Sequence, residues 1–290
     1  MLLGAHMSIA GGFDKAVERA RAAGCQSLQI FTKNSNQWKA KPITPEQVEA
    51  FRAALAATGI GPVVAHDSYL INLASPDDEL WLKSTAAFED ELRRCEELGV
   101  GFLVTHPGAG KESTREDAMA RVAEALDRIY GKYRFPVMTL LENTAGQGTT
   151  LGANFEELAG ILGRATYPEQ IGFCFDTCHA LAAGYDIRGT EGYAQTIAEF
   201  DRLLGLDKLM CIHLNDSQKE LGSRRDRHAH IGEGEVGLEG FAHFVNDRRF
   251  REVPGILETP KSDDLHEDRE NLERLRSLEG ATPPFPGLTE

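Results

Sequence analysis

Residues that commonly bind metal ions recur along this chain at nearly even intervals, and each one closes a short apolar run. The intervals are 34 to 45 residues long, and the six residues are His66, His106, Glu142, Asp176, His213 and Glu258. Short runs rich in Val, Ile, Phe and Leu are typical of buried parallel strands. A strand with its returning helix takes roughly 30 residues or more. The spacing therefore predicts that each strand–helix unit delivers one ligand to the same end of a parallel sheet.

Two earlier apolar runs, at residues 2–6 and 28–31, bring the number of predicted strands to eight. Helix-start signals lie between the runs, at residues 44–47, 113–116 and 154–157. Eight alternations of strand and helix predict an α/β protein with a (β/α)8 TIM barrel, and a doubly wound open sheet is the alternative. In a barrel the carboxyl ends of the strands converge, so ligands that are far apart in sequence can meet there.

Length and composition favour a single domain. The chain has 290 residues, of which 41% are hydrophobic, and no Ser/Gly-rich linker divides it. We predict one domain over residues 1–280 and a flexible tail at 281–290, where three prolines lie close together. No run approaches the roughly 18 apolar residues of a membrane helix, and the first residues lack a signal-peptide pattern. We therefore expect a soluble cytoplasmic protein with no membrane partner.

Net charge and cysteine usage restrict the possible functions less than the ligand spacing does. A charge of −14 by itself argues against a polyanionic partner, but bound metal ions would offset several carboxylates, so it does not decide the question. The five cysteines are odd in number and scattered, which is typical of reduced thiols. Cys174 and Cys178 lie on either side of Asp176, and we expect them to pack in the strand and turn rather than bind metal.

Three further ligand candidates lie just beyond predicted strand ends: His179, Asp226 and His228. Taken alone, Asp226 and His228 fit a solvated, arginine-rich loop. With the six strand-end residues they make five histidines and four carboxylates, a mixture that suits zinc, with manganese or iron as alternatives. Nine ligands exceed the needs of one ion, and a carboxylate can bridge two. Paired ions roughly 3.5–4 Å apart suit the cleavage of phosphate esters.

Other conspicuous residues are assigned structural roles. We expect ordinary hydrogen-bonding roles for His6, His230, His243 and His266, and no carboxylate neighbour for His6. Residues 232–237 match the G-x-G-x-x-G pattern of dinucleotide-binding proteins. They do not directly follow an apolar strand, and acidic residues occupy variable positions. We predict a tight glycine loop here and no nucleotide cofactor.

Together these motifs closely resemble the endonuclease IV family of apurinic/apyrimidinic (AP) endonucleases. The resemblance runs from residue 4 to about residue 260, nearly the whole chain. The matching segments are residues 4–8, 31–34, 66–73, 106–108, 142–148, 175–180, 213–216, 226–228, 232–234 and 257–259.

The resemblance implies a barrel with three zinc ions, with manganese as an alternative at one site. It assigns one ion to His66, His106 and Glu142, a second to Glu142, Asp176, His213 and Glu258, and a third to His179, Asp226 and His228. Glu142 is the implied bridge, and we expect Glu142 and Glu258 to be the catalytic carboxylates.

The implied activity is that of endodeoxyribonuclease IV of the phage-T4-induced type, a metal-dependent hydrolase of DNA base excision repair. Such enzymes cleave the phosphodiester 5′ to an abasic site and leave a 3′-hydroxyl and a 5′-deoxyribose phosphate. They also trim blocked 3′ ends. The implied partner is double-stranded DNA carrying either lesion, and we expect a monomer in the bacterial cytosol and nucleoid.

Members of this family bend DNA, flip out the abasic nucleotide and insert side chains into the gap. By resemblance, Tyr69 and Leu70 lie on the inserting loop. Asn36 stands where the best-known members carry an intercalating arginine. We expect Asn36, Tyr69 and Leu70 to contact DNA, with a weaker contribution from Asn36, and Lys33 and Lys39 to be available for phosphate.

The sequence alone is also compatible with two other functions. A sugar isomerase or epimerase on a metal-dependent barrel would use Glu142, Asp176, His213 and Glu258 but would leave five ligand candidates without a function. A non-catalytic abasic-DNA binder would retain the fold without cleavage. Metal stoichiometry distinguishes the first alternative, and an incision assay distinguishes the second.

Overall fold

Eight parallel strands close into a barrel in the computed structural model, which describes residues 1–280. Around the barrel, β10 lies between β7 and β1. The barrel strands are β1 Leu2–His6, β2 Ser27–Phe31, β3 Val63–His66, β4 Phe102–Thr105, β5 Met138–Glu142, β6 Ile171–Asp176, β7 Leu209–His213 and β10 Pro254–Leu257. All eight predicted strands are found, so the prediction of a (β/α)8 barrel is confirmed. The tail predicted at 281–290 lies outside the described residues.

Helices cover the outside of the barrel and connect its strands. They are α1 Phe13–Ala23, α2 Pro45–Thr58, α3 Asp78–Leu98, α4 Arg115–Tyr130, α5 Phe155–Leu162, α6 Thr177–Ala183, α7 Thr190–Leu204, α8 Gly237–Asn246 and α9 His266–Ser277. Short 3-10 turns lie at Pro168–Gln170, Leu206–Lys208 and Arg248–Phe250. None of these helices has the length and apolar character needed to cross a membrane.

The predicted helix starts act as caps. Thr44 and Gln47 form a reciprocal capping box, in which each side chain accepts the backbone N–H of the other, at 3.3 and 3.0 Å. Thr114 and Asn154 cap α4 and α5 by accepting the N–H three residues on. Each cap begins a helix that returns the chain to the other end of the barrel, so the next strand runs parallel to the one before it.

A layer of six small or apolar side chains fills the barrel interior: Val64, Val104, Leu140, Cys174, Cys211 and Ile256. Each of them lies two positions before one of the six evenly spaced ligand candidates. Side chains two apart on a strand point to the same face. The ligand candidates therefore form the next inward-facing layer, at the carboxyl end of the barrel. All five cysteines are buried free thiols, as predicted, and two of them belong to this layer.

A small antiparallel sheet lies in the segment after β7. It pairs β8 Asp216–Ser217 with β9 His228–Ala229. This hairpin brings the loop that contains Asp226 back over the barrel mouth.

Candidate metal centre

The carboxyl ends of six barrel strands bring the evenly spaced ligand candidates together. Four of them are the last residues of their strands and are buried: His66, Glu142, Asp176 and His213. His106 and Glu258 come one residue after β4 and β10 and are more exposed. The predicted convergence of residues nearly 200 positions apart is therefore present in the structure.

Glu142 lies at the centre of the cluster. Its Oε2 is 3.3 Å from Nε2 of His66 and 3.3 Å from Nε2 of His106, while its Oε1 is 3.1 Å from Nδ1 of His213. Burial opposes ionisation, but the neighbouring rings of His213 and His106 hold the pKa of Glu142 well below its usual range. The carboxylate is ionised and directs its two oxygens to different ligand groups, as a bridging ligand does.

A second group forms around His213. Its Nδ1 lies 3.2 Å from Oε2 of Glu258 and 3.8 Å from Oδ2 of Asp176. Burial again opposes ionisation, yet the His213 ring lowers the pKa of Glu258 to about 2. Together with Glu142, these side chains offer four ligand atoms within 4.8 Å of one another.

The third group has Asp226 between two histidines. Its Oδ2 lies 3.3 Å from Nε2 of His179, and its Oδ1 lies 3.2 Å from Nε2 of His228. Although burial opposes ionisation, hydrogen bonding to His179 holds the pKa of Asp226 far below its usual range. Among the described residues, Nε2 of His228 is buried without a partner in hydrogen-bond geometry. A cation between the ring and the carboxylate would satisfy both.

The outer ring nitrogens show which nitrogen each histidine presents to the cluster. Three histidines place Nδ1 against a backbone carbonyl oxygen, at 2.9 to 3.1 Å: His66 against Asp67, His179 against Asn143 and His228 against Glu258. A carbonyl oxygen only accepts hydrogen bonds, so Nδ1 donates and Nε2 is the nitrogen that would bind a metal. His213 is reversed, with Nδ1 facing inward.

Known proteins share sequence and fold with nearly the whole of this chain. A family profile described as "Xylose isomerase-like TIM barrel" matches residues 17–278. "Probable endonuclease 4" of Chloroflexus aurantiacus is 57% identical over 276 residues, which cover 95% of this chain and 97% of the relative. The chain belongs to the endonuclease IV family. The resemblance noted in the sequence is thereby confirmed.

Solved structures extend the comparison. Endonuclease IV from Thermus thermophilus is 41% identical and superposes with a TM-score of 0.84, covering 96% of this chain and 98% of that one. A D-tagatose 3-epimerase-like protein reaches a TM-score of 0.71 at 17% identity, covering 96% of this chain and 98% of that one. At that identity the likeness shows only a common fold. The barrel is thus shared with sugar epimerases, while sequence identity places the chain in the endonuclease IV family.

Asp176 has two roles in this family member. Its Oδ1 accepts the backbone N–H of His179 at 2.7 Å and so caps α6, whereas its Oδ2 faces His213. His179 lies in the first turn of α6 and is buried. His179 is therefore held by a helix and not by a loop.

The sequence analysis missed three amides that hold the ligands in place. Asn143 accepts the N–H of Asp176 at 2.7 Å and donates to its carbonyl oxygen at 3.0 Å. Asn215 donates to Oδ2 of Asp176 at 2.7 Å and accepts the N–H of Glu258 at 2.8 Å. The third is Gln29, on β2. Their positions in the sequence could have revealed them. Both asparagines come within two residues of a ligand candidate, and Gln29 is a polar residue inside a buried strand.

The prediction that His6 lacks a carboxylate neighbour was wrong. Its Nδ1 lies 3.8 Å from Oε1 of Glu258, because barrel closure places β1 beside β10. Burial lowers the pKa of His6 to about 3, so the ring is neutral. Adjacency across the closure of a barrel joins residues from opposite ends of the chain, and no local pattern reveals it.

The prediction that Lys33 can contact phosphate was also wrong. Its side chain is 1% exposed, and its Nζ lies 3.3 Å from Glu91 and 3.1 Å from Asp90, both on α3. Glu91 also accepts a hydrogen bond from Thr32. Lys33 therefore fastens the loop after β2 to α3, whereas Lys39 and Lys41 of that loop are exposed.

The three predicted DNA-contacting residues lie on two adjoining loops. Tyr69 is 64% exposed and stands edge-on to Phe31, with ring centroids 5.4 Å apart. Leu70 is partly exposed, and Asn36 is exposed on the loop after β2. Ser68 links the loops by donating to the carbonyl oxygen of Ser35 at 2.6 Å. The exposed tyrosine stands beside the metal-ligand cluster.

The glycine loop at 232–237 folds around a carboxylate of the protein itself. Asp216 accepts backbone N–H groups from Gly232, Gly234, Val236 and Gly237, at 2.8 to 3.4 Å. A Cβ at position 234 would clash with the carbonyl oxygen of Ser217, so this close approach requires glycine. The backbone amides that a pyrophosphate would use are already engaged.

Proposed function

We propose that this chain is a zinc-dependent AP endonuclease of DNA base excision repair, which cleaves the phosphodiester 5′ to an abasic site. The observation that carries the proposal is the sharing of Glu142. Its two oxygens face two separate ligand groups, and a third group lies beside them. Three adjoining cation sites of mixed imidazole and carboxylate ligands suit a phosphodiesterase better than a single-ion enzyme.

The donor chemistry fits zinc. One group offers His66, His106 and Glu142, the second offers Glu142, Asp176, His213 and Glu258, and the third offers His179, Asp226 and His228. Imidazole nitrogens and carboxylate oxygens are ordinary zinc ligands, and manganese is an alternative at one site. Zinc held there supplies Lewis acidity to a phosphate ester and lowers the pKa of water.

The chain's own residues supply placement and charge. Ionised Glu142 and Glu258 both place negative charge next to His213, at 3.1 and 3.2 Å from its Nδ1. In our proposal, Tyr69 and Leu70 enter the space left by a flipped-out abasic nucleotide and hold the scissile phosphate over the cluster. Tyr69 suits this role because its ring is mostly exposed yet rests on Phe31.

A sugar epimerase is the competing proposal, and the third ligand group disfavours it. An epimerase would need only one group such as Glu142, Asp176, His213 and Glu258. It would leave His179, Asp226 and His228 without a function, although Asp226 is held within 3.3 Å of both rings. Three zinc ions per chain would support the endonuclease, and one or two ions would support the epimerase.

Incision of a duplex that carries one abasic analogue tests the proposal. The zinc-loaded protein should cut the lesion strand once, 5′ to the analogue, leaving a 3′-hydroxyl that a polymerase can extend. The matched control is the same duplex with an intact base. A strong chelator should abolish incision, and added zinc should restore it. Incision that survives removal of all metal, or its absence in protein with three zincs, would overturn the proposal.

Trimming of blocked 3′ ends is a second proposed activity of the same centre. A nicked duplex ending in a 3′-phosphate should be converted to a 3′-hydroxyl end, and the chelator should stop this conversion as well. A chelator-sensitive AP incision without any 3′-end conversion would restrict the proposal to abasic sites.

A further inference from the structure

One buried amide reaches two of the candidate metal ligands at once. The Nε2 of Gln29 lies 2.6 Å from Oε1 of Glu258 and 3.0 Å from Nδ1 of His6. Its Oε1 lies 2.8 Å from Nε2 of His213. Gln29 itself is fully buried on β2.

The hydrogen-bonding capacity of its neighbours fixes which end of this amide faces which side chain. The Glu258 carboxylate can only accept, so the amide nitrogen must face it. The amide oxygen then faces His213, and because a carbonyl oxygen only accepts, Nε2 of His213 must carry the proton. Its Nδ1 is then the atom directed at Glu142 and Glu258, and it would offer its lone pair to a metal ion held among them. A flipped amide would set its oxygen against the carboxylate at 2.6 Å.

The same contact directs Glu258. With Oε1 held by Gln29, the other oxygen of Glu258 faces His213 at 3.2 Å. Gln29 thus selects the metal-facing atom of both ligands. It also explains why His213 alone, among the histidines with an outer partner, presents Nδ1. The other three have a backbone carbonyl at Nδ1, whereas His213 has a side-chain carbonyl at Nε2.

The barrel allows this reach. Six strands contribute one ligand candidate each, and β1 and β2 contribute none. Their inward residues at this level are His6 and Gln29, which lie in register with each other. Gln29 extends past β1 to side chains that follow β10 and end β7. All eight barrel strands therefore supply a side chain to the cluster at the barrel mouth.

We propose that Gln29 is a positioning residue for the second metal group, which sets the tautomer of His213 and the rotamer of Glu258. The proposal rests on the proposed function, because it presumes that these two side chains bind zinc. Removal of a group that orients a metal ligand typically lowers metal affinity roughly 10- to 100-fold. We expect a loss of zinc affinity of about this size when Gln29 is replaced.

Zinc competition against a chromophoric chelator tests the role. Gln29→Met keeps the length and volume of the side chain but removes the amide. We expect one of three zincs to be held roughly 10- to 100-fold more weakly, with the other two unchanged. In cobalt-substituted protein, the visible absorption of that one site should change. Gln26→Ala is the matched control, since Gln26 is exposed at the opposite end of β2, where it accepts the N–H of Leu3.

Gln29→Glu supplies a second variant should Gln29→Met fail to fold. It retains an acceptor for His213 but sets a negative charge against Glu258, so the same zinc should weaken. Three unchanged zinc affinities in either folded variant, or equal weakening of all three, would overturn the positioning role. A parent protein that binds fewer than three zincs would instead count against the proposed function, which separates the two failures.

Discussion

The candidate metal centre has two parts that are built differently. Glu142, Asp176 and His213 end barrel strands and are almost completely buried. Asp226 and His228 come from the excursion between β7 and α8, and their side chains are 43% and 19% exposed. We call the six strand-end residues the rim ligands, and Asp226 with His228 the excursion ligands. His179 lies between the two parts, in the first turn of α6.

The difference lies in what holds each part. Rim ligands are fixed by the hydrogen-bond register of neighbouring strands and by the packed layer below them. The excursion ligands depend on local contacts around the β8–β9 hairpin, and the carboxylate of Asp216 supplies several of these. The rim is held by many strand contacts around the closed barrel, whereas a single local contact can be removed by one substitution. The two parts should therefore respond differently to mutation.

The largest expected effect concerns a rim ligand. Glu258→Gln preserves shape but removes a negative charge next to His213, so we expect incision to fall by several orders of magnitude. Binding of the abasic duplex should stay near that of the parent, because the barrel keeps its shape. Single-turnover incision and a binding titration measure the two quantities. Incision within about tenfold of the parent, a change of about 1.4 kcal/mol, would remove Glu258 from the catalytic set.

The next effect concerns an excursion ligand. His228→Ala should lower zinc content from three ions to two and greatly slow incision, since only one group of ligands loses a member. In the parent, mild chelation should remove this same ion first. Elemental analysis measures the content, and His266→Ala is the control because His266 lies exposed on α9. Three retained zincs in His228→Ala would disprove this grouping.

A substitution that touches no ligand sharpens the comparison. Asp216→Asn leaves an amide where a carboxylate accepts backbone N–H groups on both oxygens, so the glycine loop should loosen. We expect the zinc held by the excursion ligands to weaken by roughly 10- to 100-fold while the rim zincs stay unchanged. Chelator competition measures the affinity of each zinc in the parent and in this variant. Asp263→Asn is the control, because Asp263 is exposed. Equal weakening of all three zincs would mean that the two parts are not independent.

The DNA-facing loops should affect binding without affecting zinc. Tyr69→Ala removes an exposed ring, and stacking of an aromatic ring on a base contributes roughly 1–3 kcal/mol. We therefore expect abasic-duplex binding to weaken about fivefold or more, with three zincs retained. A titration at fixed salt measures the affinity. Loss of zinc in this variant would show that the loop after β3 also supports the rim.

The smallest effect is expected at Asn36. Asn36→Ala should change affinity little, because asparagine contributes neither a stacking surface nor a charge. Asn36→Arg should tighten binding and steepen its salt dependence by about one phosphate contact. Titrations at two salt concentrations measure both. A greater loss in Asn36→Ala than in Tyr69→Ala would reveal a specific role for the asparagine.

Much of the site could be predicted because strands impose a short period. Each rim ligand follows an inward-facing residue by two positions, as His66 follows Val64 and His213 follows Cys211. Such a pattern can be read from one strand at a time. The burial of Lys33 could not be predicted in this way, because it depends on Glu91 of α3. No periodicity along β2 indicates which helix will cover the following loop.

The barrel, the convergence of the six rim residues and the family could all be inferred from the amino-acid sequence, because strand period, helix caps and residue spacing are local properties. The folded chain was needed to show that Glu142 faces two ligand groups, that His6 meets Glu258 across the barrel closure, and that Gln29 orients His213. Glu142 and His213 are 71 positions apart in sequence, and Gln29 and His213 are 184 positions apart. Which side chains meet at such separations depends on barrel closure and strand register, because both set the direction in which each inward side chain points.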